Sequence, residues 1–71
     1  MMTLNKKQLE EELIETLEDL KQATPQYRPY VLLGLKARSD ILRGVLRTKE
    51  GMTDLDAIEY IKGIVQAHYT E

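Results

Sequence analysis

The middle of the chain reads Pro29-Tyr30-Val31-Leu32-Leu33-Gly34-Leu35-Lys36-Ala37-Arg38-Ser39-Asp40-Ile41-Leu42-Arg43-Gly44-Val45-Leu46-Arg47-Thr48-Lys49. Its apolar residues recur at helical intervals, and the strict alternation of a strand is missing. On a wheel of about 100° per residue, Tyr30, Val31, Leu32, Leu35, Ile41, Leu42, Val45 and Leu46 fall in an arc of about 200°. An arc that wide predicts a central helix, a hub touched by two neighbours. Pro29 suits the first helical position, where its missing N–H costs nothing. Gly51 suits the residue just past the end, and Arg43, Arg47 and Lys49 stand where the helix dipole favours cations.

Residues 6–23 predict a second helix and residues 54–69 a third. Asn5 is a good N-cap with Gln8 three residues on, and Leu4 with Leu9 has the spacing of a hydrophobic staple. Leu9, Leu13, Leu17 and Leu20 form a narrow stripe flanked by Ile14, with Thr16 and Thr24 on the same side. Thr53 is the N-cap of the last helix, and Asp54 and Asp56 suit its first turn. Leu55, Ala57, Ile58, Ile61, Ile64, Val65, His68 and Tyr69 are expected on its inner face. Thr24-Pro25-Gln26-Tyr27-Arg28-Pro29 supplies the break before the hub helix. Similar lengths and short connections predict a single all-α domain, a small antiparallel three-helix bundle.

The chain has 71 residues and no cysteine. Disulfides, thiolate metal sites and thiol nucleophiles are thereby excluded. A core this small supplies only about 3–5 kcal/mol, and such domains draw on oligomerisation when staples are absent. An apolar stripe left over should therefore meet another chain. No membrane-length apolar run and no signal-like segment at residues 1–7 are present, so a cytoplasmic protein is expected.

Charge is unevenly distributed. Residues 1–22 carry −3, residues 23–49 carry +5 and residues 50–71 carry −4. Lys36, Arg43 and Arg47 align on one face of the hub helix, with Asp40 between them. One reading is a phosphate-tracking stripe for nucleic acid. The other is internal complementarity, a basic helix answered by two acidic ones. Acidic neighbours and the lack of an Arg/Asn/Gln cluster at a helix N-terminus favour the second. Arg38 falls inside the apolar arc, which predicts a buried ion pair with an acid of the first or third helix, or else a face turned to a partner.

The corner Tyr27-Arg28-Pro29-Tyr30 is a candidate contact surface, because Tyr and Arg combine large area with a polar tip. Its alternative is a cap of tyrosine rings on leucines. His68 has only Glu71 nearby as a co-ligand, so a structural role is expected. Glu10-Glu11-Glu12 with Glu15 reads as a solvated face, since consecutive residues point around a helix. Asp54-Leu55-Asp56 lacks the spaced oxygens of a calcium loop. No phosphate loop or nucleophile elbow occurs. The expectation is therefore a non-enzymatic accessory or regulatory protein without cofactor or metal, which binds a protein partner and itself, as a homodimer. Tyr27, Arg28, Tyr30, Lys36, Arg38, Arg43 and Arg47 are its candidate contact residues. Nucleic-acid binding through the basic face is the alternative.

Overall fold

A computed structural model describes residues 5–69. It contains three helices, α1 (Lys6–Gln22), α2 (Arg28–Thr48) and α3 (Asp54–Tyr69), and no strand among those residues. Each pair of helices is in contact, and α1 with α2 share the most extensive interface.

The ends follow from local chemistry. The Gln8 amide donates to Asn5 Oδ1 at 2.8 Å, the N-cap bond that the sequence predicts. Leu4, the other half of the expected staple, lies outside the described residues. At α3 the Asp56 amide donates to Thr53 Oγ1 at 3.1 Å. Asp54 and Asp56 occupy the first turn, facing the positive end of the dipole. Gly51 takes φ +70°, a region costly for any residue with a Cβ. The reversal there lets the Met52 amide donate to the Leu46 carbonyl at 3.0 Å.

The start of α2 differs slightly from expectation. Tyr27 is the N-cap residue and makes no side-chain cap bond, so Arg28 is the first helical residue and Pro29 the second. The Tyr27 and Arg28 amides both donate to the Thr24 carbonyl at 3.0 Å, so the chain is already turning helically at Pro25. Pro29 interrupts the ladder because it has no N–H to offer the Pro25 carbonyl. The real break in direction is Ala23, whose backbone is extended (φ −70°, ψ 137°).

Polar contacts at both ends fix the topology as up, down, up. Arg43 and Arg47 near the end of α2 reach Asp54 at the start of α3. Arg28 at the start of α2 donates from Nη2 to the Tyr69 hydroxyl, at the end of α3, at 2.8 Å. Tyr60 on α3 donates to Glu10 Oε2 on α1 at 2.5 Å.

One core cluster joins Leu9 and Leu13 of α1, Leu42 and Leu46 of α2, and Ala57 and Ile61 of α3. Leu35, Val45, Met52, Tyr60, Ile64 and Val65 pack around it. Leu17, Leu20 and Thr16 complete the buried stripe of α1. The Thr16 hydroxyl is satisfied by the Glu12 carbonyl at 2.8 Å. The helices are splayed rather than strictly aligned. The molecule measures 37 × 30 × 16 Å, and parallel rods about 10 Å apart would not reach 30 Å in a second direction.

Two expectations are corrected here and one is narrowed. α2 touches both other helices, as expected of a hub, but it shares that role with α1, which buries five residues where α2 buries only Leu42 and Leu46. Two neighbours lying on one side of α2 cover about half its circumference, so the wide arc is only partly roofed. Arg38 is not in a buried ion pair: it is exposed, and its Nη1 lies 3.3 Å from the Gly34 carbonyl of its own helix. Leu55 is exposed rather than inward. It stands six residues before Ile61, about 120° away on the wheel, and Met52 and Tyr60 pack at that end of the core instead.

Candidate functional site

With α1 and α3 on one side of α2, its other side faces outward. Tyr30 is 70 % exposed, Leu33 67 % and Ile41 47 %. Ala37 lies open between Leu33 and Ile41, and Gly44 lies open one turn past Ile41, where an added Cβ would meet nothing within 4 Å. These five residues fall within about 80° of arc, roughly opposite Leu42 and Leu46. An exposed helix face would ordinarily be polar. This one is apolar along about four turns.

Tyr27 extends the strip around the corner between α1 and α2. It is as exposed as Leu33, and its ring meets that of Tyr30 edge-on at 6.4 Å between centroids and 62° between planes. The two rings lie against each other and toward water. They do not form the predicted lid on the leucines. A recess of about 470 Å³ opens beside Gln26, Tyr27 and Tyr30. Arg28 turns away to hold Tyr69, so it anchors the corner and is not its outer tip.

The basic candidates divide. Arg43 Nε and Arg47 Nε lie 3.5 and 3.8 Å from the same Asp54 carboxylate, with all three side chains about half exposed. That is the α3 half of the internal complementarity the charge pattern predicts, though exposed pairs of this kind contribute only about 0–1 kcal/mol. It also sets a carboxylate in the middle of the supposed phosphate track. Lys36 and Asp40 are exposed beside the apolar strip and make no ion pair with each other or with other described residues. Arg38 lies along the strip's other flank. The acids Glu11, Glu12, Glu15, Glu18 and Asp19 of α1 are exposed.

A second polar cluster ties α1 to α3. The Tyr60 hydroxyl donates to Glu10, and Lys6 Nζ lies 4.8 Å from the centre of the Tyr60 ring. The Glu10 carboxylate accepting that bond, with burial, raises the Tyr60 pKa above 10.0, while Lys6 pulls the other way. The Lys6 pKa is raised above 10.5, chiefly by Tyr60. The spacing within α1 and α3 separately gives no sign of this contact, which forms only once the two helices lie side by side. His68 is half-buried in the last turn of α3. Among the described residues no three potential ligands converge on a metal position, and Glu71 lies outside them. No helix of the described residues is long and apolar enough to cross a membrane.

Sequence reasoning missed Leu33, Ala37 and Gly44. Their wheel positions were the available signal. Tyr30 and Ile41 sit at the margin of the 200° arc, and with these three they form a second stripe facing away from the first. The α2 sequence thus carries two apolar faces, of which the fold covers one. Comparison with known protein families, curated proteins and solved structures finds no match for this chain.

Proposed function

We propose that the chain is a non-enzymatic protein-interaction module, a small accessory or regulatory protein that docks through the outer face of α2 and the adjoining tyrosine corner. One observation carries this reading: Tyr30, Leu33 and Ile41, with Tyr27 at the helix cap, stand uncovered on the side of α2 away from the buried Leu42 and Leu46. Leaving that area in water forgoes about 25 cal/mol for every Å² that a partner could cover. Large aromatic and aliphatic groups beside small ones, rimmed by Lys36, Asp40 and Arg38, match the apolar centre and charged rim of protein interfaces. The rim charges steer orientation and the apolar strip supplies affinity.

The test is retention of proteins from an extract of the native cells on three immobilised baits. These are the wild type, the double variant Leu33→Glu/Ile41→Glu, and the triple variant Lys36→Ala/Arg43→Ala/Arg47→Ala. The expected result is a retained protein lost only with the Leu33/Ile41 variant and indifferent to nuclease. Retained material that vanishes with nuclease, or only with the basic-residue variant, would transfer the function to nucleic acid.

A further inference from the structure

We infer that the outer face of α2 binds a second copy of this chain, as an antiparallel two-fold pair with Ala37 at the symmetry axis. The inference rests on the interaction reading above and names its occupant.

The outer face of α2 is self-complementary about Ala37. Set two α2 helices antiparallel with Ala37 against its counterpart. Residues equally far on either side then meet, as a two-fold interface requires. Leu33 and Ile41 are each four residues from Ala37, so each Leu33 meets the second copy's Ile41. Tyr30 and Gly44 are each seven away, so each tyrosine ring lies over a glycine with open space at its Cα. The small residue at the centre lets the backbones approach, and the bulk at the ends meets either a matching aliphatic or a gap.

Charge agrees with this direction. In an antiparallel pair the same flank of each helix faces its own copy. Lys36 and Asp40 share a flank, both exposed and unpaired with each other in the single chain. The axis brings Lys36 beside the second copy's Asp40, and it does so twice. A parallel pair would set that flank against the one bearing Arg38, placing Lys36 near a like charge. In the antiparallel pair the two Arg38 side chains share the other flank. Each is drawn back toward the level of Gly34 by its bond to that carbonyl. The two guanidinium groups thereby separate by about 9 Å along the helix axis.

Two helices crossing over this length bury on the order of 1,000 Å² in total, at the low end for specific interfaces. An interface of that size belongs to the weak class, so association is sought at high protein concentration. Sedimentation equilibrium of the whole chain from about 0.01 to 2 mM should show the mass rising from 8.2 kDa toward twice that value. Leu33→Glu, at an exposed position, should weaken association at least about tenfold while leaving helix content and the melting of the dilute monomer, at about 10 µM, unchanged. Asp40→Lys alone should weaken it, and Lys36→Asp/Asp40→Lys together should restore it.

The chain has no cysteine, so register can be read by crosslinking. Ala37→Cys should oxidise readily to a linked dimer because the axis pairs residue 37 with itself. Ile41→Cys alone should not, its two copies standing about 12 Å apart along the axis. An equimolar mixture of Leu33→Cys and Ile41→Cys should yield the mixed dimer. A wild type that stays at 8.2 kDa at about 2 mM overturns the pairing and leaves the broader interaction reading standing. Self-association that survives Leu33→Glu, or that links Ile41→Cys to itself in preference to Ala37→Cys, overturns this face and register.

Discussion

Tyr60 carries the clearest single-residue argument. Its hydroxyl spans from α3 to the Glu10 carboxylate on α1, with Lys6 over the ring. Tyr60→Phe keeps the ring and removes the bond, so it should cost about 1 kcal/mol at neutral pH after allowance for partial solvation. The pH dependence has a fixed sign. Tyr60 and Lys6 both have pKa values raised in the folded state. Their contribution is therefore complete below the unfolded values and disappears as pH climbs through the raised ones. Melting curves should show the gap between wild type and Tyr60→Phe closing above about pH 10; a gap that widens there would contradict the Glu10 bond. Arg38 gives the opposite case. It is exposed and bonded only within its own helix, so Arg38→Ala should move stability by no more than about 0.5 kcal/mol. The wheel places Arg38 beside apolar neighbours correctly. It cannot say how far those neighbours are roofed, so a buried ion pair is expected from the sequence where the fold has solvent.

At the scale of the element, the helices and their ends were legible because caps are local. Asn5 with Gln8 and Thr53 with Asp56 each form the predicted bond, and Gly51 takes the left-handed turn. Bounds moved by a residue where the chemistry is softer, as at Pro29, whose missing N–H interrupts a turn already begun at Thr24. The inward face was less legible. The α1 stripe of Leu9, Leu13, Leu17 and Leu20 is narrow and admits one orientation, whereas α2 is apolar over so much of its surface that periodicity alone does not select a side. Two substitutions on α2 would confirm which side is inside. Leu42→Ala removes a fully buried side chain from the shared cluster and should cost about 2–5 kcal/mol, enough to unfold most of so small a domain. Leu33→Ala, two-thirds exposed, should stay within about 0.5 kcal/mol. Urea titration of the two variants measures both, and equal losses would mean that α2 is rotated from the orientation described.

The whole molecule is a thin slab. Its radius of gyration is 12.5 Å, against about 11 Å for a close-packed chain of this length. A splayed arrangement leaves much area in water for the core it encloses. Any cover for the outer face of α2 would add stability by mass action. The melting temperature of the wild type should accordingly rise by several degrees between about 10 µM and 1 mM, scaled by the small unfolding entropy of a short chain. Differential scanning calorimetry at the two concentrations reads this directly, and identical transitions would show that the slab stands alone. Which surface the fold leaves uncovered was only half legible in the sequence. The tyrosine corner could be picked out from composition, but the strip from Tyr30 to Gly44 became visible only when α1 and α3 were seen to lie on one side.

The core cluster has a consequence for how the chain comes into being. It draws on Leu9 and Leu13, on Leu42 and Leu46, and on Ala57 and Ile61. A nascent polypeptide that has emerged only as far as Gly51 possesses the first four of these side chains and nothing to close over them. During synthesis the early leucines must wait for α3 to clear the ribosome. α1 and α2 can pair before then, since they share the most extensive interface, but the common cluster closes only when Ala57 and Ile61 of α3 arrive.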